Sequence, residues 1–228
     1  MINKIHQRKY FTPALLALAF LVTAATSRTT LASPPAANNV ISIAEARSLP
    51  LGTVVTIDGS VTVPSGAFSS STFDQGFAIQ DRTGGIYVST SDNLGFAPRQ
   101  QVRVTGTLAD TVLPGLLVVV DVTDAKAHGS GPKALPVTTG GVGEATEGSI
   151  VRITGTISKP IVNDLPFGFI IVVNDGSGDL NVFVAASTGI DVSGLSQGQT
   201  IEVTGFSGQF ADHFEVDPRF QSDIKVVQ

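Results

Sequence analysis

Two short clusters hold most of the residues that could do chemistry. The first surrounds His213 in the run DHFEVD, with Asp212 beside it and Glu215 and Asp217 close behind. Histidine and carboxylates grouped in this way suit proton carriage or metal ligation. The plainer reading is a polar turn entering the last strand. The second cluster is NDGSGD, residues 174–179. Asn174, Asp175, Ser177 and Asp179 offer oxygen atoms around a glycine-rich backbone, which makes Asp175 and Asp179 the candidate Ca2+ ligands. The run lacks the twelve-residue spacing and closing glutamate of an EF-hand loop, so a capped hairpin turn explains it equally well. Elsewhere the sequence holds no HExxH or Walker A pattern. It has no cysteine, which removes disulfides and argues against structural zinc. No catalytic constellation emerges, so the chain is expected not to be an enzyme. No cofactor is expected, with calcium at residues 174–179 as the one alternative.

The first elements to place are those of export. Lys4, Arg8 and Lys9 precede a mainly apolar stretch over residues 11–25, and small residues including Ala24 and Ala32 follow. This is the layout of a secretory signal peptide, and the apolar run is shorter than the roughly 20 residues a spanning helix needs. Residues 1–32 are therefore expected to be a leader. The mature protein would be secreted or periplasmic, with membrane contact only if the leader stays uncleaved. Lys4, Arg8, Lys9 and Arg28 leave with it. Of 14 basic and 19 acidic residues, the mature part keeps ten and nineteen, a net charge of about −9. A surface of that sign repels polyanions on average.

After a short polar linker over residues 33–40, the chain falls into two similar halves. GTVVTIDGSVTVP, residues 52–64, matches GSIVRITGTISKP, residues 148–160, at a constant offset of 96 residues. GFAIQDRTGGIYVS resembles GFIIVVNDGSGDLNVFV, and QVRVTG resembles TIEVTG, in the same order. Residues 127–136 are rich in Gly and Pro and read as a linker. That gives domains at 41–126 and 137–228. Both read as β structure: VRVTG and IEVTG alternate strictly, and the turns DRTGG and NDGSGD separate strand-like runs. Ser42 followed by Glu45 marks one short capped helix. About five strands per half, with Gly59 and Gly155 where a strand must bend, fit a small closed barrel.

The ordered pattern V-x-I-x-G-x-V, A-I-x-D-x-T-G-G-I-x-V and V-x-V-x-G resembles OB-fold domains of secreted bacterial proteins. The second half, with NDGSGDLNVFV and the ending PRFQSDI, resembles the OB-like accessory segment of extracellular endonucleases. The fold class expected is all-β, with two small five-stranded OB-like β-barrels in tandem after a signal peptide. The usual helix between the third and fourth strands is expected to be short or absent.

The resemblance implies binding of single-stranded nucleic acid or oligosaccharide on an open barrel face. Stacking rings and cations would be needed for nucleic acid. Tyr87 and Phe183, on equivalent strands of the two halves, are the implied platforms. Arg82, Arg99, Arg103 and Arg152 are the implied phosphate contacts. Phe68, Phe73, Phe77, Phe167 and Phe169 serve equally as barrel plugs or as ligand contacts. Two other functions fit the sequence: an interaction module for an extracellular protein, and the accessory part of a metal-dependent nuclease.

Overall fold

The computed structural model describes residues 39–109, 118–126 and 130–227. The expected leader and most of the first linker lie outside these residues. So do residues 127–129 of the second linker.

The first half runs through β1 (Val40–Ile41), α1 (Ile43–Arg47), β2 (Val54–Val63), α2 (Ser69–Thr72), β3 (Phe77–Gln80), β4 (Gly85–Val88), β5 (Gln101–Thr107) and β6 (Val118–Lys126). Ser42 caps α1 by accepting from the Glu45 amide at 3.2 Å. The sheet runs β4-β3-β2-β5-β6, with β1 beside β2. Its core is the inward set of a period-two pattern: Val55, Ile57, Val61, Ile79, Ile86, Val88, Val102 and Val104. No described pairing joins β4 to β6, so this half is an open sheet among the described residues. The expected closed barrel is not completed here.

The second half contains β7 (Leu135–Pro136), β8 (Ile150–Ile157), β9 (Val162–Asp164), β10 (Gly168–Asn174), β11 (Asp179–Ala185), β12 (Thr200–Phe210), β13 (His213–Asp217) and β14 (Ile224–Val226). Here the sheet does close. Strands pair in the ring β8-β10-β11-β13-β12 and back to β8. β11 and β13 run parallel, while the other neighbours in the ring are antiparallel. Val151, Ile153, Ile171, Val173, Val182, Val184, Ile201, Val203 and Val216 fill the interior. Closure leaves no free edge within the ring. Gly155 explains how β8 turns the corner. A Cβ there would lie 2.8 Å from Val173 Cγ1, so only glycine lets β10 approach so closely. Leu135 and Pro136, inside the expected linker, pair with Val151 and Arg152 as an edge strand. No helix follows β11; a single 3-10 turn, Ala186–Thr188, takes its place.

The two sheets are packed together. Val63, Ala67, Phe68 and Ala78 from the first half meet Ile150, Ala185 and Phe206 from the second in one buried cluster. Polar bonds cross the same seam. The Ile150 amide donates to Gln80 Oε1 at 3.0 Å, and Arg47 meets the buried Glu147 at 2.6 Å. Arg219, within the PRFQSDI ending, pairs with Asp223 and donates to the Thr62 carbonyl at 2.8 Å. At one point backbone touches backbone. A Cβ on Gly85 would fall 1.9 Å from the Gly148 carbonyl oxygen.

That contact yields a test. Gly85→Val forces the seam open and lowers stability by about 3 kcal/mol, the upper end for overpacking. Gly84→Ala is the control, because its Cβ would meet only Ile43 Cγ2 at 3.8 Å, an ordinary contact. Urea denaturation should place the Gly84 variant within about 0.5 kcal/mol of the parent. Equal stability of the two variants would contradict the close approach.

Candidate ligand site

A cavity of about 320 Å³ opens on the outer face of the closed barrel. Ile170 on β10 and Asn181 and Phe183 on β11 form its floor, with Glu215 and His213 on β13. The connection from β8 to β10 supplies Asp164 and Phe167, and the β12–β13 hairpin supplies Phe210. The first half contributes Ser71 and Phe73.

Strand alternation sets this arrangement. Val216 points into the barrel, so Glu215 and Asp217 must point out. Glu215 stands opposite Asn181 across the parallel β11–β13 pair. Phe210 and His213 are the cross-strand pair that closes the hairpin, with ring centroids 5.8 Å apart. Phe73 ends α2 in the left-handed region at φ 58°. For a bulky side chain that conformation costs on the order of 1 kcal/mol or more. It leaves the ring 77% exposed and edge-on to Phe167 at 5.8 Å. Phe167 and Phe210 are exposed as well.

The aromatic residues singled out in the sequence thus divide by role. Phe77 is fully buried in the first core, and Phe68 lies in the seam. Phe169 packs on the barrel interior. Phe73, Phe167 and Phe183 reach the cavity. Tyr87 does not share the cavity with Phe183. Its ring meets Phe206 in the seam at 6.1 Å, and its hydroxyl donates to Asp74 at 2.6 Å. Burial, reinforced by the Asp74 carboxylate, pushes that hydroxyl further toward its protonated form. Tyr87 therefore offers no open stacking face. The physical reason is the first half's position against β12, which a strand-by-strand reading cannot anticipate.

The four arginines separate too. Arg82 and Arg152 line one cleft between the halves, together with Arg47 and Lys133 but also Asp81, Glu144 and Glu147. Arg103 forms a two-pronged pair with Asp58, both bonds at 2.7 Å. Arg99 sits at the turn before β5 with φ 76°. Neither Arg99 nor Arg103 lines that cleft or the aromatic cavity.

The NDGSGD carboxylates are engaged by protein donors. Asp175 accepts from the Thr139 amide and hydroxyl and from Ser177, and these bonds hold its carboxyl well below the usual range. Asp179 accepts from Asn174 and pairs with Lys159 at 2.9 Å. Asp175 ties the β10–β11 turn to Thr139 before β8, and Asp179 ties it to Lys159 just after β8. Among the described residues, no three His, Asp or Glu side chains converge as a metal site.

The ionisable groups at the cavity behave differently. Glu215 is 13% exposed, and burial pushes its carboxyl up to about 7. His213 Nε2 lies 3.8 Å away. Asp217 is pushed well above the ordinary value by burial and by the Glu215 charge, and its Oδ1 has no hydrogen-bond partner. The sequence groups these residues around His213, and the structure places His213, Glu215 and Asp217 on β13 rather than in a turn. The strict alternation of HFEVD was the available signal that they share an outward face.

The five-stranded Greek-key barrel with its open outer face places this half in the OB-like class. No family model matches the chain, and no curated protein matches it. Among solved structures it is similar to ygiW, a hypothetical protein from E. coli, at 21% identity over 45% of this chain and 100% of that one, with a TM-score of 0.33. A murine DNA-binding protein bound with double-stranded DNA is 15% identical over 76% and 95% of the two chains, with a TM-score of 0.37. The p204 HINb domain is 14% identical over 77% and 96%, with a TM-score of 0.36. Likenesses this loose define neither fold nor function; the strand ring itself carries the class.

The raised carboxyls predict a direction with pH. Folded Glu215 and Asp217 keep protons that the unfolded chain has released above about pH 4. Stability should therefore fall as pH rises from about 4.5 through about 7. Lowered carboxyls such as Asp175 act only at more acidic pH. Urea titrations across this range should show the decline, and Glu215→Gln should shrink it. Stability that rises through the window would contradict the burial of these groups.

Proposed function

We propose that the protein is an exported, non-enzymatic binding protein whose barrel holds an oligosaccharide in the aromatic cavity. One observation carries this reading: among the described residues, four phenylalanine rings line the cavity and no lysine or arginine does. The cavity occupies the second and third strands of the barrel and the two connections beside them, the face and loops that OB folds use for oligonucleotides and oligosaccharides. Single-stranded nucleic acid needs cations beside its stacking rings. Here the charged neighbours are Asp164, Glu215 and His213. A chain with a mature net charge of about −9 strengthens the same preference. Sugar rings offer apolar faces to the phenylalanines and hydroxyls to Asn181, His213 and the carboxylates.

Binding without turnover fits the lining groups. Ser71, the hydroxyl at the cavity, donates to the Phe68 carbonyl at 2.9 Å and is not activated by a base. The first half, whose Gly52 holds φ 84° where its second-half counterpart Gly148 holds φ 80°, is read as the barrel's open relative. It serves the site by presenting Phe73.

A second reading rests on the cleft where Arg82 and Arg152 meet Arg47 and Lys133. That grouping supports a nucleic-acid backbone contact, although three acidic residues share the cleft and no aromatic ring lines it.

Calorimetry with neutral oligosaccharides and with a single-stranded oligonucleotide separates the two. The first reading expects sugar binding that Phe167→Ala or Phe210→Ala weakens about tenfold, roughly 1.4 kcal/mol. Both residues are already partly exposed, so the fold should survive either change. Oligonucleotide binding abolished by Arg82→Ala, with no sugar binding, would replace the first reading by the second.

A further inference from the structure

The cavity's polar groups are unbalanced in a way that says more about the ligand. Asp164 and Glu215 supply two carboxylates, and among the described residues no lysine or arginine lines the cavity with them. Asp164 has no ion-pair partner among the described residues, and Glu215 has only His213 at 3.8 Å. A neutral ligand that covered both carboxylates would strip their water and return no opposite charge. The walls point the same way. Phe73, Phe167, Phe183 and Phe210 surround the space, and aromatic faces carry negative potential that attracts a cation within about 6 Å of the ring. Carboxylates and ring faces are thus arranged to favour positive charge in a space of about 320 Å³, large enough for a sugar unit and its substituent.

We propose that the oligosaccharide bound in this cavity carries a free amino group, held as an ammonium ion between the Asp164 and Glu215 carboxylates and the phenylalanine faces. This inference rests on the oligosaccharide reading above and narrows it to amino sugars with unblocked nitrogen. The ammonium donates hydrogen bonds to the carboxylates, and its sugar ring lies against Phe183 and Phe210. An acetylated nitrogen loses the charge and gains bulk, so it fits the cavity less well. Charge at Glu215 also links the site to protons: burial favours its neutral form, and an arriving cation favours the ionised form. Binding near neutral pH therefore releases protons. Asp217 and His213 on the same strand and Asp164 on β9 are the other ionisable neighbours of that carboxyl among the cavity and strand residues.

The test is calorimetry on the whole chain with two oligomers of equal length, one of glucosamine and one of N-acetylglucosamine. A second arm compares choline with 3,3-dimethylbutan-1-ol, its uncharged counterpart. The expected result is at least tenfold tighter binding of the glucosamine oligomer. Asp164→Asn and Glu215→Gln should each narrow that gap, and heats should vary with buffer ionisation as protons leave. Equal affinity for the two oligomers overturns the ammonium inference and leaves the oligosaccharide reading intact. Binding of neither oligomer, with choline preferred over its counterpart, overturns the sugar and retains the cation site. Binding of none of the four overturns both.

Discussion

The seam between the two sheets governs what the rest of the molecule can do. Gly85 and Gly148 bring backbone against backbone, and no side chain larger than hydrogen fits between them. That approach lets Phe68 and Phe206 bury each other with centroids 6.1 Å apart, and it sets α2 over the outer face of β11. Ser70 and Ser187 fasten α2 to the barrel through the Phe167 and Ala67 carbonyls. Without the seam, Phe73 would have no cavity to wall and Glu215 would face water. The site is therefore a property of the pair of halves, although most of its residues belong to one.

Burial at the seam also explains the unusual carboxyls. A carboxylate on a barrel's outer face is normally solvated and ionised. Here the first half removes much of that water, and the low-dielectric surroundings favour the neutral acids. Some cost in stability at neutral pH follows, since these groups must either ionise while buried or hold a proton. Retaining such groups beside an aromatic cavity is common where charge is kept for a ligand. The surface elsewhere follows the ordinary pattern: Asp58 pairs with Arg103, Asp179 with Lys159 and Glu202 with Lys225.

Much of the barrel was legible from local pattern. Residues 179–185 alternate in sequence, and Leu180, Val182 and Val184 share the face that fills the barrel. Ser42 and Glu45 marked a helix start, and NDGSGD marked a turn whose aspartates bind the protein's own donors. What escaped the sequence depends on contacts between segments far apart in the chain. Tyr87 and Phe183 occupy equivalent strand positions and both pack against the seam cluster, yet only Phe183 also lines the cavity. Arg82 and Arg152 converge because the halves meet, while Arg103 is taken by its cross-strand neighbour Asp58. Closure shows the same limit. Both halves carry barrel-like patterns, but only the second pairs its ends among the described residues. Pairing between distant strands is set by tertiary contact, which a local period cannot specify.

The two halves together wall the cavity on the barrel's outer face, which makes it one site if a ligand binds there. Amide chemical-shift mapping of the whole chain, titrated with the tightest-binding oligosaccharide, tests it directly. Phe73 in the first half is expected to shift together with Phe183, Phe210 and Glu215 in the second, along a single saturation curve. Shifts gathered around Arg82, Lys133 and Arg152, with Phe73 and Phe210 unmoved, would contradict it.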